Sequence, residues 1–131
     1  IGQHYLPSYG PNFEFNKLKF PILVTEKLIE PVFDIDIVAL KGNLKKIVIR
    51  KRKISSNPDS GHVIIKNSKI LKYCKNIVKK MRLSYLLDFD IMFDDKRNPK
   101  LIEINPRMSG SIAESYKKNI FLIDDLVDLI L

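Results

Sequence analysis

YLLDFDIMFDDKRNPKLIEINPR, residues 85–107, decides the fold. Two strand-like runs, 85–93 and 100–105, flank DDKRNP, a string of turn-forming residues, so the stretch reads as an antiparallel hairpin. Successive strand side chains point to opposite faces, which predicts Leu101, Glu103 and Asn105 on one face and Ile102 and Ile104 on the other. With the turn centred between Lys96 and Arg97, Asp90 falls opposite Glu103 and Asp88 opposite Asn105. Directly opposed Cβ atoms lie roughly 4.5–5.5 Å apart, so these acids and the amide share one patch. Like charges so close ask for a compensating cation. Oxygen ligands with no cysteine or histidine nearby select Mg²⁺ or Mn²⁺ over zinc, and Mg²⁺ is usually held by one or two carboxylates plus substrate phosphates. The competing reading is a half-exposed sheet with a polar outer face, and a one-residue slip of register would scatter the cluster.

Beyond the hairpin, Arg107 stands between a strand end and a helix expected near Ser111, where Ser111 and Glu114 have the spacing of a capping box. Arg107, Ser109 and Ser111 form a candidate phosphate or carboxylate cradle, because a helix start favours an anion. The last stretch, FLIDDLVDLIL (121–131), has apolar residues on one side and predicts a final helix.

Upstream, ILVTEKLI (22–29) and FDIDIVALK (33–41) are strand-like, and Gly42-Asn43 is expected to turn the chain into LKKIVIRK (44–51). A polar loop, SSNPDSG (55–61), then leads to a short strand HVIIK (62–66). Ser68 is the expected N-cap of an amphipathic helix with Leu71, Cys74, Val78 and Met81 at helical spacing. Residues 1–21 mix aromatics with Gly and Pro and read as an irregular lead-in. The fold class expected is α+β, a largely antiparallel sheet over 22–131 with helices packed on one face.

A length of 131 residues with 45% hydrophobic residues suits one core. The net charge of +8 favours an anionic partner. The one cysteine, Cys74, excludes an internal disulfide framework and fits a cytoplasmic setting, and no apolar run is long enough to span a bilayer. His4 and His62 have no acidic partner at ligand-like spacing and read as structural, and the lysines at 66, 69, 72, 75 and 79 read as a solvated helix face. Seven basic residues between 41 and 53 support a rival reading as a nucleic-acid-binding module, but no aromatic platform is interleaved with them. A non-catalytic assembly domain is the third reading, and a homodimer is compatible with each.

LIEINPRMSGS preceded by LLDFDIMFD resembles the metal-binding end of the ATP-grasp superfamily, which includes carbamoyl phosphate synthetase large subunits, biotin carboxylase and many carboxylate–amine ligases. The similarity extends back through ILVTEKLIEPVFDIDIVALKGNLKKIVIRKRK to the family's hinge and hairpin, covering roughly residues 22 to 131. The resemblance implies ATP and Mg²⁺ (or Mn²⁺) as cofactors, with Asp90, Glu103 and Asn105 as metal ligands and Arg107 on the γ-phosphate or acyl phosphate. It also implies Glu26 at the adenine amino group, the backbone of Lys27 and Ile29 on the adenine edge, and Arg50 and Arg52 as cations toward phosphates or the substrate carboxylate. The reaction implied is attack of a carboxylate on ATP, then capture of the acyl phosphate by an amine or other nucleophile. Two features depart from the pattern. Val32 stands where the family carries a ribose-binding acid, and the scattered glycines at 2, 10, 42, 61 and 110 make no glycine-rich loop. The chain is therefore expected to be the carboxy-terminal half of an ATP-grasp domain, inactive without the missing amino-terminal lobe.

Overall fold

The computed structural model describes residues 25–131. The expected lead-in, His4 and residues 22–24 of the first expected strand lie outside the described residues. Five strands, β1 (Ile29–Leu40), β2 (Asn43–Ile54), β3 (Asn57–Ile65), β4 (Tyr85–Phe93) and β5 (Pro99–Asn105), pair antiparallel in the order β3-β2-β1-β4-β5. Among the described residues α1 (Ser68–Met81) links β3 to β4, and α2 (Ala113–Tyr116) and α3 (Leu122–Ile130) follow β5.

Alternation along β1 sends Phe33, Ile35, Ile37 and Ala39 to one face and Asp34, Asp36 and Val38 to the other. On the first face α1 presses Ile70, Cys74 and Val78 against Ile49, Leu87, Phe89 and Ile91 to form the main core. Phe33 and Phe93 meet edge to face there at 5.5 Å. Burial of each such side chain stabilises by about 1.5–3 kcal/mol. The expected helix stripe is thus rotated: Cys74 and Val78 are core, whereas Leu71 and Met81 are exposed. Asn67, not Ser68, caps α1, its Oδ1 accepting the Ile70 N–H at 3.1 Å.

The antiparallel α+β architecture is the expected one, but the helices occupy both faces of the sheet. Val38, Val48 and Leu86 make an apolar strip at one end of the second face, and Leu122, Leu126 and Leu129 of α3 cover it. The centre of that face, where the acids lie, is left for other groups.

Three boundaries differ from expectation. The first hairpin turns at Lys41-Gly42, with φ of 47° and 83°, and Leu40 pairs with Asn43; a two-residue turn matching strand twist needs positive φ at both positions. Gly42 also donates its N–H to the Leu83 carbonyl at 2.9 Å, so close to the end of α1 that an added Cβ would lie 3.3 Å from Arg82 Cα. β3 begins at Asn57, not at 62, because Ser55-Ser56 suffices as the turn and an edge strand tolerates Pro58. Residues 25–28 are not strand, and β1 starts at Ile29.

The decisive hairpin has the expected pairing at its far end, Asp90 with Glu103 and Asp88 with Asn105. Nearer the turn the register shifts, Ile91 pairing with Leu101, so Ile102 is an extra residue in β5 and stands exposed. Leu101 consequently joins the α1 core with Ile104, correcting the expectation that it shares a face with Glu103.

Candidate functional site

The second face of the sheet gathers charge in a lateral row. Asp34 on β1 pairs with Arg50 on β2 and with Asp90 on β4, and Asp90 pairs with Glu103 on β5. One step along, Asp36 pairs with Asp88, and Asp88 with Asn105. Short-period alternation therefore puts five carboxylates side by side across three strands.

The arginines of β2 reach these acids diagonally. Arg52 forks onto Asp34, with Nε donating to Oδ2 at 2.9 Å, and its Nη2 also donates to Asp90 Oδ2 at 2.8 Å. The Asp34 hydrogen bonds raise the Arg52 pKa, keeping the guanidinium charged throughout. Burial opposes ionisation of Asp34, but Arg52 outweighs it and holds the carboxyl below its usual range. Asp90 moves the other way, pushed up first by burial and then by the Asp34 charge. His62 Nε2 lies 2.5 Å from Asp34 Oδ2, so the histidine expected to lack an acidic partner has one across β2.

Arg50 is elsewhere than expected. It is wholly buried, with Nη2 2.6 Å from Asp36 Oδ2, Nη1 donating to Ser115 Oγ at 2.7 Å and Nη2 donating to Ser109 Oγ at 2.9 Å. The turn after β5 and α2 cover it, so it presents no cation to the open face. Its short contact with Asp36 lacks hydrogen-bond alignment, and Asp36 Oδ2 counts among the buried oxygens without a donor.

Arg107 stays on the open side, its Nη1 3.3 Å from Asp88 Oδ2 and 2.7 Å from the Met108 carbonyl. Ser109, expected as part of an anion cradle, is instead buried: its N–H donates to Asp36 Oδ1 at 3.1 Å, and its hydroxyl meets Ser111 Oγ at 2.6 Å. The capping box is not formed, since α2 begins at Ala113 without a side-chain cap and Glu114 pairs with Lys117. A four-residue helix has too little aligned backbone to be an anion site.

Glu26 is exposed and pairs with Lys100 at 3.1 Å, near the turn end of β5; Lys27 is exposed, and Ile29 opens β1 opposite Phe93. Asp90, Glu103 and Asn105 are brought together, and Asn105 Nδ2 donates to Glu103 Oε1 at 2.9 Å. Among the described residues no three acidic, thiol or imidazole side chains form a ready metal cage. Two carboxylates and an amide suit an ion that takes its other ligands from phosphate. The charge balance also fits one. Among the described residues Asp34, Asp36, Asp88, Asp90 and Glu103 face Arg50, Arg52 and Arg107, so the carboxylates outnumber the arginines. Asp88 Oδ1 is buried without a donor, and burial together with Asp36 pushes the Asp88 pKa up to about 6.

Sequence reasoning placed Asp34, Asp36, His62 and Ser115 outside the candidate site. The signal for the first two was present: Asp34 and Asp36 alternate on the face of β1 that shares its side of the sheet with Arg50 and Arg52 of β2, Asp34 lying opposite Arg50. No local pattern marks Ser115.

No helix among the described residues is long and apolar enough to cross a membrane. A family described as "ATP-grasp in the biosynthetic pathway with Ter operon" matches residues 19–131. No curated protein matches the chain.

Proposed function

We propose that this chain, which belongs to the ATP-grasp family, contributes the larger lobe of a ligase that activates a carboxylate as an acyl phosphate and passes it to an amine or other nucleophile. ATP-dependent, ligase-like chemistry comes with the family; the divalent cation, the acid and the nucleophile belong to the proposal. One observation carries it: carboxylates outnumber arginines on the acidic face, with the unpartnered Asp88 oxygen among them. A divalent cation held by these carboxylates offsets that excess and leaves its remaining positions for a nucleotide's phosphates.

In this reading Asp90, Glu103 and Asn105 hold the cation. Arg107 meets the terminal phosphate, Glu26 takes the adenine amino group, and the backbone of Lys27 and Ile29 reads the adenine edge. Arg52 gives up Asp90 to the cation, keeps Asp34, and turns its free edge to the phosphates. When bound, the cation screens the phosphate oxygens and polarises the group being transferred. Arg50 and Ser109 touch no substrate and act from beneath. A second lobe with a glycine-rich loop closes over the nucleotide.

Calorimetric titration of ATP with and without Mn²⁺ tests this in the full-length protein. Binding should need the metal, and Glu103→Ala should abolish it. Metal-independent nucleotide binding, or a salt-steep affinity for nucleic acid in its place, would overturn the proposal.

A further inference from the structure

Arg50 is wholly buried, yet it is one of the two arginines on the polar face of β2. Its guanidinium spans three elements at once: Asp36 on β1 at 2.6 Å, Ser109 in the turn after β5 at 2.9 Å, and Ser115 on α2 at 2.7 Å. Asp36 closes the loop by accepting the Ser109 N–H at 3.1 Å. Ser109 is thus gripped through both its hydroxyl and its backbone, two residues beyond Arg107. Arg107 itself is 59% exposed and, among the described residues, is steadied by Asp88 and the Met108 carbonyl, so its reach depends on where its backbone is pinned.

We infer that Arg50 and Asp36 form a positioning pair that fixes the turn at Ser109 and thereby aims Arg107 across the acidic row. A buried ion pair seldom stabilises more than an apolar pair of the same volume would, so its presence under this turn favours a geometric task. Lysine cannot replace Arg50 in that task, because an ammonium on a flexible stem lacks the planar fork that joins three fixed partners. The inference rests on the proposed role of Arg107 and goes beyond it by assigning the residues that set its position.

The test compares Mg-ATP with Mg-ADP binding in the full-length protein carrying Arg107→Ala, Ser109→Ala or Arg50→Lys. Arg107→Ala should lower ATP affinity about tenfold and ADP affinity less than twofold, a difference of about 1.4 kcal/mol. Ser109→Ala keeps the buried ion pair and the fold, and should shift the ATP-to-ADP ratio in the same direction. Arg50→Lys should do likewise where it folds. A merely structural role lowers both nucleotides together, and that result would overturn the inference. If Arg107→Ala shifts the ratio while Ser109→Ala, folded, does not, the positioning pair alone is refuted. If Arg107→Ala leaves the ratio unchanged, the phosphate role of Arg107 fails and the inference fails with it.

Discussion

Replacing Arg50 by Met is the most informative single perturbation of stability. The side chain and its partner Asp36 are both fully buried, so the substitution leaves a carboxylate in the interior with only the Ser109 N–H to satisfy it. Breaking a buried pair from one side costs about 3–5 kcal/mol, against a total stability of about 5–15 kcal/mol for a domain. With a urea m-value of about 1–3 kcal/mol/M, the unfolding midpoint should fall by roughly 2 M. Asp36→Val alone should cost a similar amount by stranding the guanidinium. The double variant removes both charges and loses three hydrogen bonds, the hydroxyl bonds to Ser109 and Ser115 and the Ser109 N–H to Asp36, about 1 kcal/mol each. It should therefore lie within about 3 kcal/mol of the parent, with a large favourable coupling in the double-mutant cycle. Urea unfolding followed by circular dichroism measures all four proteins. A double variant as unstable as the sum of the singles refutes the idea that the charges need each other.

Other perturbations probe the open face and the first turn. Burial and Asp36 raise the Asp88 pKa to about 6, so its protonated form is favoured in the fold. The stability it contributes is complete below about pH 4 and is lost as pH rises through 6. In chelator, the urea midpoint should fall across that window and on to about 7, where the raised Asp90 adds a slope of the same sign, and Asp88→Asn should remove the lower part of it; Asp34, lowered, acts only below it. Arg52→Met frees Asp90 from its hydrogen-bonded cation, and should raise the Mn²⁺ affinity of nucleotide-free protein several-fold in a paramagnetic titration while lowering stability. An unchanged or weaker metal affinity would show that Arg52 does not compete for the site. Gly42→Ala combines positive φ with a 3.3 Å approach to Arg82 Cα and should destabilise by about 1–3 kcal/mol in the same urea assay.

What could be read in advance follows from how local the determinants are. Asp90 opposite Glu103 depends on strand alternation and a short turn, both written in consecutive residues, and the pairing is as expected. The bulge at Ile102 depends on tertiary demand: both Leu101 and Ile104 reach the α1 core, and only an extra residue allows that while Glu103 faces away. Arg50 and Arg52 look equivalent along the chain, and what separates them is the cover of Ser109 and Ser115, about sixty residues downstream. The start of β3 at Asn57 is hidden because an edge strand need not alternate, although HVIIK reads as strand, and His62 reads as structural because its partner Asp34 belongs to a strand it does not adjoin. The helix on the acidic face was hinted at by Val38 and Val48, apolar side chains on an otherwise charged surface.

The extra residue in β5 also changes how distance along the chain should be interpreted. Leu101 and Glu103 pair with the adjacent residues Ile91 and Asp90, so removing Ile102 would leave an unbroken ladder with the same inward and outward assignments. Thirteen positions separate the two acids in sequence, but only twelve are needed to oppose them in space. Homologues one residue shorter here would carry an equivalent pair, and a search demanding fixed spacing would overlook them.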